Sequence, residues 1–264
     1  MKKLILILLC INIGVFYLIF DFSKRGSLVS FFDVGEGSSV LIYNPRFKIL
    51  YDTGPYGFNT ISEINKILPF YDRRIDFLII SHPDKDHYGG AFDILDRFKI
   101  RIVFITPLNS QDSGYLQLLK YIKDKNIPII TLEKGDFIES NYEKIFVLNP
   151  EPNIFNKDNE NSIVLKINKD NRSYLLTGDI DKKAEEYLIK RFKDFLDVDY
   201  LLIPHHGSKY SLDEKFLKIT SPILAIIQVG KNKYGHPNKE VIELLKSFKI
   251  KYWRTDLNKA LIIK

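Results

Sequence analysis

The chain has 264 residues, enough for one large domain or two small ones. Its composition, 45% hydrophobic and 27% charged, can build a core and excludes a disordered polypeptide. A single cysteine excludes a disulfide framework, and the net charge of +6 gives only mild support for an anionic partner, since Lys2, Lys3, Lys24 and Arg25 against Asp21 supply half of it.

Residues 4–20 form an apolar run broken only by Asn12 and Gly14 and bounded by charges. That is near the lower limit of about 17–25 residues for a membrane-spanning helix. No small-x-small cleavage site follows it, and Cys10 lies inside the run behind bulky Leu8 and Leu9, which does not suit a lipoprotein. The expectation is an uncleaved single-pass anchor over residues 1–26; the alternative is a buried helix of the globular part. Lys2 and Lys3 favour a cytoplasmic amino end, hence an extracytoplasmic domain over residues 27–264.

Beyond Gly26, short apolar runs predict strands at 28–33, 40–43 and 47–51, separated by Gly- and Pro-containing turns. Ile61, Ile64, Ile67 and Leu68 predict a helix over 60–68. The run 77–80 reads as a buried strand, followed by helices at 91–98 and 115–125 and strands at 101–105 and 128–131. Further strands are expected at 137–138, 144–148, 163–167, 173–176, 200–203, 224–227, 251–253 and 260–263, with helices at 182–193 and 239–248. This order fits two sheets with helices outside them.

The chemistry concentrates where these strands end. Residues 81–90 read S-H-P-D-K-D-H-Y-G-G and hand the 77–80 strand to a helix. Strand carboxyl ends are where open sheets place ligands. His82, Asp84, Asp86 and His87 form H-x-D-x-D-H, whose imidazole nitrogens and carboxylate oxygens suit a divalent transition metal. All five histidines of the chain sit in such motifs: two here, His205 and His206 in P-H-H-G-S, and His236 in Y-G-H-P.

Asp179 ends L-L-T-G-D, where its carboxylate either bridges two cations or serves an ordinary turn. The adjacent His205 and His206 point in different directions, so one can bind metal while the other faces substrate. Asp52, in Y-D-T-G, is placed to orient the His82 loop from behind. Asp33 opens the Gly-rich turn D-V-G-E-G, more readily a structural turn than a phosphate cradle because a strand follows it. Asn161 and Ser162, in N-E-N-S, offer an amide and a hydroxyl to the site or form a plain loop. Ser208 and Lys209 follow the histidine pair and can meet a phosphate, and Tyr210 and Tyr234 lie beside the motifs, where they either stack on bases or pack.

Taken in order, F-F-D-V-G-E-G-S-S, Y-D-T-G, S-H-P-D-K-D-H-Y-G-G, N-E-N-S-I-V-L, L-L-T-G-D, P-H-H-G-S, V-G-K-N-K-Y-G-H-P and Y-W-R-T-D resemble the metallo-β-lactamase superfamily, and within it the hydrolase domain of the ComEC competence proteins. The resemblance implies an αββα sandwich (α/β class) with the site on one edge of the packed sheets. It implies two divalent cations, Mn²⁺ or Zn²⁺. His82 and Asp84 would belong to the first, Asp86, His87 and His205 to the second, and Asp179 would bridge. Many members supply a further histidine to the first metal; here none lies between His87 and His205, which favours Mn²⁺ over tight zinc binding. The implied activity is hydrolysis of DNA, single-stranded by preference, at the cell surface by a metal-activated bridging water. Asp86 would orient the nucleophile, and His206 or His236 would protonate the leaving oxygen or hold a phosphate. A DNA-uptake channel is the implied partner of a monomeric domain. The competing readings are a metallohydrolase of a small phosphodiester or amide, and a non-catalytic DNA-capture module.

Overall fold

A computed structural model describes residues 2–24, 26–108, 110–139 and 143–264. Helix α1 (Lys2–Lys24) comes first. It carries the run read above as an anchor, and that expectation is corrected, together with the single-pass cell-membrane location and the membrane contact through residues 4–20. Among the described residues no helix is long and apolar enough to cross a membrane.

Strands β1 (Leu28–Phe31), β2 (Val40–Asn44) and β3 (Phe47–Tyr51) form an antiparallel meander. Helix α2 (Gly57–Ile67) returns the chain to β4 (Arg74–Ile80), parallel to β3. Short helices α3 (Lys85–Tyr88) and α4 (Ala91–Arg97) lead to β5 (Lys99–Ile105), and α5 (Ser113–Asp124) leads to β6 (Ile129–Thr131); each strand lies parallel to the one before it. The pattern then repeats. Strands β7 (Phe137–Glu139), β8 (Glu143–Asn149), β9 (Val164–Lys169) and β10 (Arg172–Leu176) are antiparallel neighbours. Helix α6 (Lys182–Phe192), β11 (Tyr200–Leu202), α7 (Glu214–Thr220), β12 (Leu224–Ile227), α8 (Lys239–Ser247) and β13 (Lys251–Arg254) continue it with parallel strands. One-turn α9 (Thr255–Asn258) then carries β14 (Leu261–Ile263) across to pair antiparallel with β1.

The result is two seven-stranded sheets, ordered β14-β1-β2-β3-β4-β5-β6 and β13-β12-β11-β10-β9-β8-β7. Side chains alternate between faces along each strand. Ile49 and Tyr51 of β3 and Leu176 of β10 point between the sheets, where they meet Ile79, Leu165, Leu202 and Ile226. Leu50 and Leu78 face the layer containing α2, α4 and α5. Leu175, Ala225 and Ile227 face α6, α7 and α8. Both faces of each central strand are therefore buried, which is why β4 and β12 read as near-continuous apolar runs. The expected αββα sandwich is the fold.

At the edge where β3, β4, β10, β11 and β12 end, buried polar groups tie the sheets together. Tyr51 Oη donates to Ile163 O (2.7 Å), Ile163 N to Ser81 O (2.9 Å), and Gln228 Nε2 to Phe32 O and Ser39 O (2.9 and 2.7 Å). The loops that carry the histidines and aspartates thus start from anchored strand ends.

Candidate metal centre

The loop after β4 is shaped by Asp52, which follows β3 with φ +59 and is wholly buried. Its Oδ1 accepts from Ser81 N (2.7 Å), and its Oδ2 accepts from Ser81 Oγ and His87 Nδ1 (2.8 Å each). Ser81 Oγ lies 2.9 Å from His82 Nδ1. Since the Ser81 hydroxyl proton goes to Asp52, the hydroxyl oxygen accepts from His82. On the other sheet, Gln228 O takes a hydrogen bond from His206 Nδ1 (2.8 Å). A carboxylate and a carbonyl only accept, so the Nδ1 of each of the three imidazoles carries its proton. All three Nε2 atoms therefore face the space between the sheets, where a cation would take the place of a proton on them.

Asp179 closes that space from the β10 side. Its Oδ1 is 3.2 Å from His87 Nε2; its Oδ2 is 3.6 Å from His206 Nε2, 3.8 Å from His205 Nε2 and 3.9 Å from His82 Nε2. Asp86 Oδ2 lies 3.2 Å from His206 Nε2 and 4.0 Å from His87 Nε2. Ligand atoms of Asp86, His87, Asp179 and His206 all fall within 4.8 Å of one another. Next to them His82 Nε2 is 3.5 Å from Asp84 Oδ2, whose carboxylate is half exposed. His82 Nε2, His87 Nε2 and Asp179 Oδ1 are buried without a hydrogen-bond partner. Three converging polar atoms in that condition, from nitrogen and oxygen donors, fit a divalent cation.

The electrostatics point the same way. Burial opposes charge on His87, but Asp179 and Asp52 outweigh it and hold the imidazolium form well above the ordinary imidazole value. Burial likewise opposes charge on His206, and Asp179 and Asp86 raise it. Burial also opposes ionisation of Asp179, yet His87 and His206 hold its carboxyl well below the carboxylate range. For Asp86 burial is overcome chiefly by the His206 hydrogen bond, which brings it to about 2. Burial pushes His205 and His236 down. The cluster concentrates negative charge that protons or cations must balance.

The remaining expected residues sort by distance from this cluster. His205 and His206 both adopt left-handed backbone (φ 50 and 53), and their rings stand at 82° to each other. His206 turns inward to Asp86 and Asp179, while His205 stays 28% exposed at the rim. His236 joins the rim, its ring 5.6 Å from His205. Ser162 Oγ receives Asp179 N (3.1 Å) and so supports the aspartate through its backbone. Asn161 Nδ2 donates to Phe155 O and Lys157 O and braces its own loop. Ser208 is buried, with its hydroxyl taken by Tyr210 N, and Lys209 Nζ lies 4.9 Å from the Tyr210 ring. Asp33 Oδ2 faces Lys259 Nζ at 3.4 Å rather than the cluster. It is Gly37, later in that turn, that presses on the site: a Cβ there would come 2.3 Å from Asp86 O.

Two contributors were not singled out from sequence. Ser81, inside the decapeptide, relays Asp52 to His82. Gln228, at the end of β12, sets His206; the strand-end position that marked the other motifs was its available signal.

Residues 32–230 match the family described as the metallo-beta-lactamase superfamily. ComE operon protein 3 of Bacillus subtilis (strain 168) is 30% identical over 269 residues, covering 92% of this chain and 34% of its own length. Competence protein ComA of Neisseria gonorrhoeae is 28% identical over 239 residues, covering 90% and 32%. The chain therefore spans about a third of the length of these curated relatives. Among solved structures, Igni18, a metallo hydrolase of the archaeon Ignicoccus hospitalis, superposes with a TM-score of 0.58 at 15% identity, over 90% of this chain and 99% of that one.

Proposed function

The chain belongs to the metallo-β-lactamase superfamily of metal-dependent hydrolases and is homologous to competence proteins; from that premise we propose that residues 27–264 form a two-cation phosphodiesterase acting on DNA, with single strands favoured. The observation that carries this is the set of three imidazoles, His82, His87 and His206, each with Nδ1 committed to an acceptor and Nε2 turned towards Asp179.

On this reading His82 and Asp84 hold one cation, and Asp86, His87 and His206 hold the other. His206 takes the part that the resemblance assigns to His205, because His206 is the one oriented by Gln228 O with Nε2 near both Asp86 and Asp179. Asp179 lies between the two groups, with one oxygen near His87 and the other near His82 and His206. Oxygen-rich coordination beside His82 favours Mn²⁺. Cations bound there supply an activated water and neutralise charge developing on phosphorus. Asp52 and Ser81 keep the imidazoles in the ligating tautomer. His205, pushed towards the neutral form by burial at the rim, would meet the substrate; its imidazole would take a proton from the attacking water and then pass it to the departing oxygen. The competence relatives support DNA as the substrate.

The test uses protein stripped of metal, reloaded with Mn²⁺ or Zn²⁺ and given labelled single- and double-stranded DNA. Metal-dependent cleavage is expected, with Asp179→Asn slower by at least about 100-fold, the scale of removing a charge-stabilising group from a reaction centre. Bound cation without cleavage of either DNA, or full activity in Asp179→Asn, overturns the reading.

A further inference from the structure

The loop from β12 to α8 is stapled by one side chain. Asn232 Oδ1 accepts from Tyr234 N (3.1 Å) and His236 N (3.0 Å), and its Nδ2 donates to Gly230 O (2.9 Å) and His236 O (2.8 Å). Four bonds from one amide hold the rings of this loop in a fixed order. The Tyr234 ring lies 5.7 Å from that of His236 at 28°, and His236 lies 6.5 Å from His206 at 30°. Three rings, each tilted by about 30° from the next, therefore step outward from the Asp86–Asp179 cluster to the surface. The outermost, Tyr234, is 63% exposed, whereas Tyr51 and Tyr115 are buried in the cores. Lys233 Nζ sits 5.4 Å from the Tyr234 centroid. A second exposed pair, Lys209 and Tyr210, lies on the loop that follows His206.

A pre-ordered aromatic face beside an ammonium group matches a nucleobase joined to a phosphate. Every base offers a π-face, and lysines neutralise the backbone. In a duplex those faces are already stacked on one another, so an exposed ring finds them free only in a single strand. We propose that Tyr234 is a base-stacking subsite that selects single-stranded nucleic acid and draws its phosphodiester toward the His/Asp cluster. This rests on the phosphodiesterase reading above for what happens to the strand, but not for its capture.

The test measures binding of the full chain to fluorescent oligodeoxynucleotides of about 12 nucleotides, within the range that single-strand sites cover. One strand is intact, and the other carries abasic residues throughout. Both have phosphorothioate linkages to resist cleavage. Anisotropy is read at one fixed salt concentration, with Mn²⁺ and again with chelator. The intact strand is expected to bind about 5- to 100-fold more tightly than the abasic one. Tyr234→Ala should bring that ratio towards one, Tyr234→Phe should preserve it, and thermal unfolding of both variants should match the parent. Equal affinity for the two strands in the parent, an unchanged ratio in Tyr234→Ala, or no binding of either strand overturns the subsite. Because the strands stay uncut, this outcome is separate from the cleavage assay: a protein that stacks bases but cleaves no DNA would refute the phosphodiesterase reading alone.

Discussion

Replacing Asp52 with asparagine changes one oxygen for an NH₂ group at the point that sets two imidazoles. The Asp52 carboxylate receives three hydrogen bonds, from Ser81 N, Ser81 Oγ and His87 Nδ1, and donates none. Asparagine has two ways to sit. With its oxygen on Ser81 N, its NH₂ faces His87 Nδ1, and the imidazole must move its proton to Nε2, 3.2 Å from Asp179 Oδ1. The ligating lone pair is then lost. With the amide flipped, NH₂ opposes the Ser81 N–H, and a buried donor is left unpaired at a cost of about 1–3 kcal/mol. Losing a partner that orients a ligating histidine weakens metal binding about 10- to 100-fold, or about 1.4–2.7 kcal/mol. Titration against a chromophoric chelator, with Mn²⁺ or Zn²⁺, should show that loss in one of two binding steps. If Asp52→Asn stays folded and both steps keep their parental affinity, the tautomer argument is wrong.

Further variants separate the remaining roles. His206→Ala should lose cation affinity, whereas His205→Ala should keep it and lose turnover by about 10²–10⁴-fold if its ring moves the proton; the reverse outcome would exchange the two assignments. Gly37→Ala would drive a Cβ to 2.3 Å from Asp86 O and 2.7 Å from Pro55 Cδ at φ +142, so unfolding should show a loss of about 1–3 kcal/mol or more. Burial pushes the Glu185 carboxyl up to about 7, against hydrogen bonds from Leu212 N and Asp213 N. Between its ordinary value of 4.5 and 7 the folded chain holds a proton that the unfolded chain has released, so this contribution is full below 4.5 and is lost as pH rises through 7. Denaturant unfolding should therefore show the stability of the parent relative to Glu185→Gln shrinking across that window; a constant gap would remove Glu185 as the cause.

The two-sheet plan was legible because apolar runs and strand-end motifs alternate along the chain. The limits of that reading have local causes. β4 begins at Arg74, three residues before the apolar run, because Asp76 is buried with Lys48 N bonded to its carboxylate (3.0 Å) and Arg74 and Arg101 at 3.6 Å. Two of those partners, Lys48 of β3 and Arg101 of β5, come from neighbouring strands, so the charged stretch looked like loop. α7 was not foreseen: it has seven residues, too few for a clear helical period, though its cap Asp213 is visible. The H-x-D-x-D-H loop was readable as a metal-ligating pattern, and the structure draws Asp86 and His87 of that loop together with Asp179 and His206. Which of the adjacent histidines turns inward was not readable, because that depends on two left-handed residues and on the carbonyl of Gln228. Hydropathy alone read residues 4–20 as a membrane span, whereas among the described residues no helix is long and apolar enough to cross a membrane.

The last strand, β14, lies against the first, β1, with Val29 opposite Ile263. The sandwich therefore receives the polypeptide and releases it at neighbouring points on one sheet. A longer protein can carry such a body as a side branch, entering before Leu28 and leaving after Lys264, while its main path continues almost undisplaced. Neither sheet has to open to admit the junction, and both junctions sit one strand spacing apart, about 5 Å. The path into and out of such a body would be fixed by the one pairing of β1 with β14.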